Sequence, residues 1–352
     1  MLFFYTKPLF YTLLYVVFAF LMLFFRDITN YKTPDEIYFL YNMLSLDSNN
    51  ILINIFSGNK GLQLKYYITI KFVRFLYQYG EIAIYIFNIS LVSISLFLSS
   101  RCFNFKKNSL CDKSWLMLFF MPNVLFFSVS ILRDIFLFSL VVLLLFCFTK
   151  MYNYWVFFIV FMIFVMRPEL GLSITVAFAI VKIELPSFRN IAVIGYLFIS
   201  FVFMMYLYLY SDFYLGRMER ILVNNNIGIM NFCDMNMFFP YYLASNVALY
   251  LFPLTDMFFV NSKFGNLLII GCLINFYIIL SILFRYKFSY NKNDKISDFS
   301  MLALVTYIPI AANETDSLSA IRHVIYILPF LYMYFSRSRK MYIDRAKGSY
   351  GY

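Results

Sequence analysis

Long apolar runs broken by short, basic-rich polar segments set the pattern of this chain. The runs fall at roughly 8–25, 81–100, 115–132, 135–149, 154–166, 170–182, 191–210, 264–284, 299–312 and 323–336. A helical bilayer crossing takes about 20 residues. Several runs are shorter, which fits tilted helices or helices packed inside protein. The pattern predicts an all-α, polytopic integral membrane protein of about ten transmembrane helices, one transmembrane domain over residues 1–352. The short alternating segments of a membrane β-barrel do not occur. The first run has no small-residue cleavage site and reads as a true span rather than a removable leader.

Composition strengthens this reading. Hydrophobic residues make up 62% of the chain and charged residues 13%, too little charge to cover a water-soluble globule of this size. Orientation follows from the loops. With Lys7 and the tail residues Arg337, Arg339, Lys340, Arg345 and Lys347 in the cytoplasm, ten spans also put the basic loops 101–113 and 285–298 inside. Both termini are then cytoplasmic. Most inner basic residues are Lys, whereas Arg26, Arg74, Arg133, Arg167, Arg217, Arg220 and Arg322 fall outside. Lys suffices for topology; a planar five-donor fork suits phosphate recognition.

The net charge of +11 is spread through interhelical loops, which is not the footprint of a nucleic-acid binder. The five cysteines (Cys102, Cys111, Cys147, Cys233, Cys272) show neither a CxxC pair nor a Cys/His metal spacing. Disulfides and a structural metal are therefore not expected.

Two outer segments are too long to be simple connections. Residues 26–80 carry Asp27, Asp35 and Glu36 and then a mixed apolar and basic stretch, Lys60 to Arg74, suited to the interface plane. Residues 211–263 hold Arg217 and Arg220, which are spaced to point the same way, an Asn-rich turn (Asn224, Asn225, Asn226) and an apolar run at 246–260. A crossing at 246–260 would turn the positive 285–298 loop outward, so this run reads as re-entrant or packed on the outer side.

Three outer boundaries concentrate the candidate chemistry. Pro122 bends its span, which ends in Arg133-Asp134, either an intramembrane ion pair or an anion ligand oriented by its neighbour. Arg167-Pro168-Glu169-Leu170-Gly171 forms the next outer turn, with Pro at a helix start and backbone N–H groups suited to an anion. Glu169 is there either a general acid/base or the partner of Arg167. Arg322-His323 opens the last span, and His323 is the chain's single histidine. An imidazole flanked by cations stays unprotonated and is able to accept a proton from a sugar hydroxyl.

In this order, Pro122 to Arg133-Asp134, Arg167 to Gly171, the outer loop ending in Tyr250-Leu251-Phe252-Pro253-Leu254, the Asp35–Tyr38–Tyr41 stretch and Arg322 resemble the Wzy-type polymerases of O-antigen, capsular and exopolysaccharide repeat units. The resemblance implies a glycosyltransferase-C-like architecture in a bacterial inner membrane with its active site facing the periplasm. It implies an undecaprenyl-pyrophosphate-linked glycan as substrate, membrane lipid around the chain, and a chain-length regulator protein as a candidate partner. The growing glycan would move to the non-reducing end of a new lipid-linked unit without metal or nucleotide.

On chemistry and position, His323 is the expected base, with Glu169 and Asp35 as carboxylate alternatives. Arg133, Arg167, Arg322, Arg217 and Arg220 are the expected pyrophosphate ligands. No nucleophile is evident, so a single inverting displacement is expected.

Three other readings stay open. An O-antigen ligase uses the same donor with a different acceptor. A glycosyltransferase using a polyprenyl-monophosphate sugar would place its base among Asp27, Asp35 and Glu36. A flippase or transporter would need the internal repeats that this chain lacks.

Overall fold

The computed structural model of the chain describes residues 3–29, 64–100, 110–130, 134–183, 185–210, 273–274, 277, 295–311 and 324–334. The described residues are all-helical, joined by turns, with no strand among them. In chain order they form α1 (Phe3–Thr29), α2 (Leu64–Tyr77), α3 (Glu81–Ser100), α4 (Leu110–Phe119), α5 (Pro122–Ser128), α6 (Asp134–Thr149), α7 (Asn153–Met166), α8 (Pro168–Val181), α9 (Pro186–Tyr210) and α10 (Lys295–Ala311). Residues 324–334 are largely helical as well. The chain divides into two compact units, and the division falls after Gly171, one turn into α8.

In the first unit α3 packs against α1, α2 and α6, and α6 packs in turn against α7. Helix α6 is apolar on every face and almost wholly buried, as a central helix must be. Trp115, Phe119 and Phe138 form the aromatic centre: Trp115 Nε1 donates to Ser99 Oγ at 3.2 Å, and the Phe119 ring meets Phe138 edge-on at 5.6 Å. Helix α2 lies against its neighbours through Phe72, whose ring is 5.0 Å from Phe87 and 6.5 Å from Phe136. The described part of the 60–74 stretch therefore packs on α3 and α6.

Each junction has a local cause. Gly80 takes φ +93 between α2 and α3, a conformation that a β-carbon would strain. The apolar run 115–132 is two helices rather than one bent helix. Pro122 has no N–H for the Leu118 carbonyl, Met121 is extended (φ −60, ψ 133), and α5 starts afresh at Pro122. Tyr15 and Phe18 of α1 clasp Phe120 at that break with edge-on ring contacts of 6.2 and 5.9 Å.

At the end of α6 the Tyr152 N–H reaches Cys147 O (3.0 Å) and the Met151 N–H reaches Phe148 O (3.3 Å). This is a Schellman closure with Met151 at φ 58 in the position glycine usually fills. Between α7 and α8 a β-carbon on Gly171 would collide with the backbone of Phe164, so only glycine lets the hairpin close this tightly.

In the second unit α10 runs antiparallel to α8. Phe178 meets Phe299 at 6.4 Å, and Ser173 Oγ lies 2.9 Å from Thr306 Oγ1. Against α9 the direction is parallel: Arg189 pairs with Asp298 near the start of both helices, and the Tyr196 hydroxyl donates to Thr306 O at 3.1 Å. Residues 324–334 return along α10, with Tyr307 and Tyr326 hydroxyls 3.0 Å apart and Phe299 and Phe330 rings at 5.9 Å.

Among the described residues two stretches, Lys7–Asp27 and Glu81–Ser100, are long and apolar enough to cross a bilayer. Asp134–Thr149, Asn153–Met166 and Pro168–Val181 are apolar but shorter. Large apolar side chains face outward on several helices, among them Val17 and Phe24 of α1, Phe157, Phe158 and Phe161 of α7, and Ile194 and Phe198 of α9.

Candidate functional site

The end of α5 is where polar chemistry gathers inside the first unit. A seven-residue helix leaves its last carbonyls without intrahelical donors. Hydroxyls satisfy the inner ones: Ser128 Oγ donates to Leu125 O at 2.6 Å and Ser130 Oγ to Phe127 O at 2.8 Å. The carbonyls beyond the helix are taken by neighbouring helices. Arg26, near the end of α1, donates from Nη1 to Val129 O, and Asn88 of α3 donates from Nδ2 to Ser130 O at 2.8 Å. A guanidinium at the carbonyl end of a helix also meets the negative pole of its dipole.

Arg26 is 4% exposed, and its guanidinium carbon lies 5.0 Å from the centre of the Tyr85 ring, within cation–π range. The Tyr85 hydroxyl in turn donates to Glu81 Oε2 at 3.3 Å, which fixes the ring.

Asp134 opens α6 four residues beyond Ser130, and its carboxylate is buried. Arg167 Nη1 stands 4.0 Å from Asp134 Oδ1. Arg167 is the C-cap of α7 (φ −147, ψ 88), its N–H donating to Ile163 O at 2.7 Å, and Pro168 begins α8 directly after it. The residue is 7% exposed. At 4.0 Å the pair has electrostatic attraction without the close fork of a bidentate contact. Glu169 is exposed in the first turn of α8.

The end of α1 thus meets the beginning of α3 and the end of α5, and the beginning of α6 meets the turn between α7 and α8. The buried ionisable groups described there are two guanidinium groups, Arg26 and Arg167, and one carboxylate, Asp134. Such a set holds cationic donors in a low-dielectric surround and is suited to an anion. Among the described residues no three His, Cys, Asp or Glu side chains come together as a metal set would require.

Of the residues singled out in the sequence, the structure brings Arg167 and Asp134 together and sets Glu169 beside them in the chain on an exposed face. Arg133, Arg217, Arg220, Arg322, His323 and Asp35, together with the 246–260 run, lie outside the described residues. Sequence reasoning passed over Asn88 and Tyr85, and it treated Arg26 only as one of the outer arginines. The available signal was a polar residue inside an otherwise apolar span, which is costly in lipid unless it faces protein. No protein-family model, curated protein or solved structure matches this chain.

Proposed function

We propose that this chain is an integral membrane glycosyltransferase that polymerises undecaprenyl-pyrophosphate-linked oligosaccharide repeat units. The observation that carries the reading is the buried pairing of Arg167 with Asp134 at the turn between α7 and α8, with a second buried guanidinium, Arg26, at the end of α5. The exposed aromatic and aliphatic faces of α1, α7 and α9 favour a lipid surround, since a water-soluble surface rarely keeps such patches. Helices of 14 residues, such as α7 and α8, reach roughly 21 Å. That is short of a hydrocarbon core of about 30 Å, and it fits a bundle that thins the bilayer around itself.

The chemistry needs an electrophile and a base. The donor's anomeric carbon is bonded to pyrophosphate, and guanidinium groups neutralise that leaving group as the bond breaks. Arg167 and Arg26 supply buried positive charge, and Arg133 directly precedes Asp134 in the chain. The acceptor sugar hydroxyl has a high pKa and gives its proton to His323 as it attacks, inverting the anomeric configuration. No metal enters this scheme.

The test is reconstitution. Purified chain given lipid-linked repeat units in detergent is expected to produce a ladder of glycans growing by one unit at a time. A ligase yields product only with its own lipid acceptor present, and a flippase yields none; either result would replace the polymerase reading.

A further inference from the structure

Six consecutive residues at the turn between α6 and α7 are exposed: Lys150, Met151, Tyr152, Asn153, Tyr154 and Trp155. Four of them are large and apolar or aromatic, and Tyr154 is 93% exposed. Met151 holds the left-handed position that glycine usually fills, so the tip carries one more apolar side chain than its backbone needs. A water-soluble surface rarely keeps such a run. Tyrosine and tryptophan gather where a bilayer meets water, because each joins an apolar ring to a polar tip.

The tip is the end of a longer apolar face. From Trp155 the outward stripe of α7 continues through Phe158, Phe161 and Phe164, over about 14 Å, while Val156, Ile159 and Ile163 face the protein.

Charge in the first unit is divided between its two ends. Helices α1 and α3 are antiparallel, with Arg26 over Tyr85, and α3 and α6 start at the same end, with Phe87 stacked on Phe136 at 6.4 Å. The start of α1 and the end of α6 therefore share the other end, and exposed Lys7 and Lys150 lie there. The carboxylates described in the first unit, Asp27, Glu81, Asp134 and Glu169, all lie at the Arg26 end. An aromatic rim with lysine and no described carboxylate complements an anionic lipid surface.

We propose that the α6–α7 turn is an interfacial anchor lying among anionic phospholipid headgroups, with Lys150 against phosphate and Tyr152, Tyr154 and Trp155 at the level of the ester carbonyls. This rests on the reading of the chain as an integral membrane protein, and it names the surface that fixes the depth of the first unit and the lipid which that surface takes. The four-carbon stem of Lys150 lies along apolar surface while its ammonium group reaches the headgroups.

The chain carries its own probe. Of its two tryptophans Trp115 is fully buried, whereas Trp155 is 60% exposed. In phosphatidylcholine nanodiscs, the fluorescence lost between wild type and Trp155→Phe isolates Trp155 and leaves Trp115 in place. Trp155 is expected to be quenched most by lipid with a doxyl group near the head of its acyl chain. Phe161→Trp in the Trp155→Phe background puts the probe about 9 Å further along α7, and its quenching is expected to shift to the deeper label. With brominated lipids diluted into phosphatidylcholine, phosphatidylglycerol is expected to quench Trp155 with about two- to fivefold higher apparent affinity than phosphatidylcholine, the effect of roughly one cation at a charged lipid surface. Lys150→Gln is expected to abolish that preference.

Trp155 open to aqueous iodide and untouched by labelled lipid would put the turn in water and overturn the proposal. Shielding from both quenchers overturns it too, since protein, such as a second copy of the chain, would then cover the turn. Equal affinity for the two lipids overturns the headgroup assignment, and a preference that survives Lys150→Gln overturns the role of Lys150. The readings separate. Lipid quenching of Phe161→Trp beside a water-exposed Trp155 keeps the membrane protein and discards the anchor. A lipid-quenched Trp155 in a chain that makes no glycan ladder keeps the anchor and discards the polymerase.

Discussion

The side-chain amide of Asn88 donates to the backbone carbonyl of Ser130 across 2.8 Å, joining α3 to the chain just beyond α5. With the bond from Arg26 to Val129 O, it explains how a short helix ends inside a buried region. Irregular backbone at membrane depth persists only where protein groups satisfy it. Asn88→Leu removes the donor and leaves the carbonyl buried. A loss of about 0.6–1.7 kcal/mol in mixed-micelle unfolding is expected, the range for interhelical hydrogen bonds in membrane proteins. Unchanged stability would show that another donor takes over Ser130 O.

Arg167 and Asp134 should behave as a coupled pair. Removing one member of a buried pair leaves the other charge uncompensated, at a cost of about 3–5 kcal/mol. Arg167→Ala and Asp134→Ala are each expected to destabilise by an amount in that range, and the double variant by clearly less than the sum. Additive losses in the double-mutant cycle would mean that the two side chains are energetically independent despite their separation of 4.0 Å.

Two backbone positions make opposite predictions. Met151 sits at φ 58 where a glycine would be unstrained. Met151→Gly is therefore expected to raise stability by up to about 1 kcal/mol. Gly171→Ala drives a methyl into the Phe164 backbone and is expected to cost about 1–3 kcal/mol as α7 and α8 are forced apart. Thermal unfolding of the purified variants reads both.

The pairing of Arg189 with Asp298 near the starts of two parallel helices makes a topological prediction. If α9 and α10 both cross, the chain between them crosses an odd number of times. That agrees with one span near 264–284 and none at 246–260. Single cysteines introduced at Asn225 and Asn293 in a cysteine-free background are expected to label from opposite sides of the membrane. Labelling from the same side would require a second crossing between them.

If the proposed mechanism holds, His323→Ala leaves an inserted protein whose polymerisation is slower by about 10²–10⁴, the usual effect of removing a general base. EDTA should not change the rate. Wild-type chain lengths from His323→Ala would move the base to Glu169.

Much of the helical plan was legible because apolar runs bounded by charge or proline leave few alternatives. The runs 81–100, 135–149, 154–166 and 170–182 agree with α3, α6, α7 and α8 to within a few residues. The break at Pro122 was visible as a proline but not as a full interruption. Whether a helix bends or restarts depends on what packs at the gap, here Tyr15 and Phe18 on Phe120.

The polar cluster was only half legible. Adjacency in sequence suggested Arg133 beside Asp134, and Glu169 for Arg167. The approach of Asp134 to Arg167 across a helical hairpin is a contact fixed by packing. Nothing local links Asn88 to Ser130, and such a pair appears only once α3 and α5 are brought together.

The most direct measurement is the affinity of the purified chain for undecaprenyl diphosphate, compared between wild type, Arg167→Lys and Arg167→Gln. A charge-assisted contact worth about 1.5–3 kcal/mol corresponds to roughly a 10- to 150-fold change in affinity. Both variants are expected to lose binding in that range, the lysine almost as much as the glutamine, because a point charge does not replace the planar fork. Wild-type affinity in Arg167→Lys and Arg167→Gln alike would contradict the assignment of this end of the bundle as the diphosphate site.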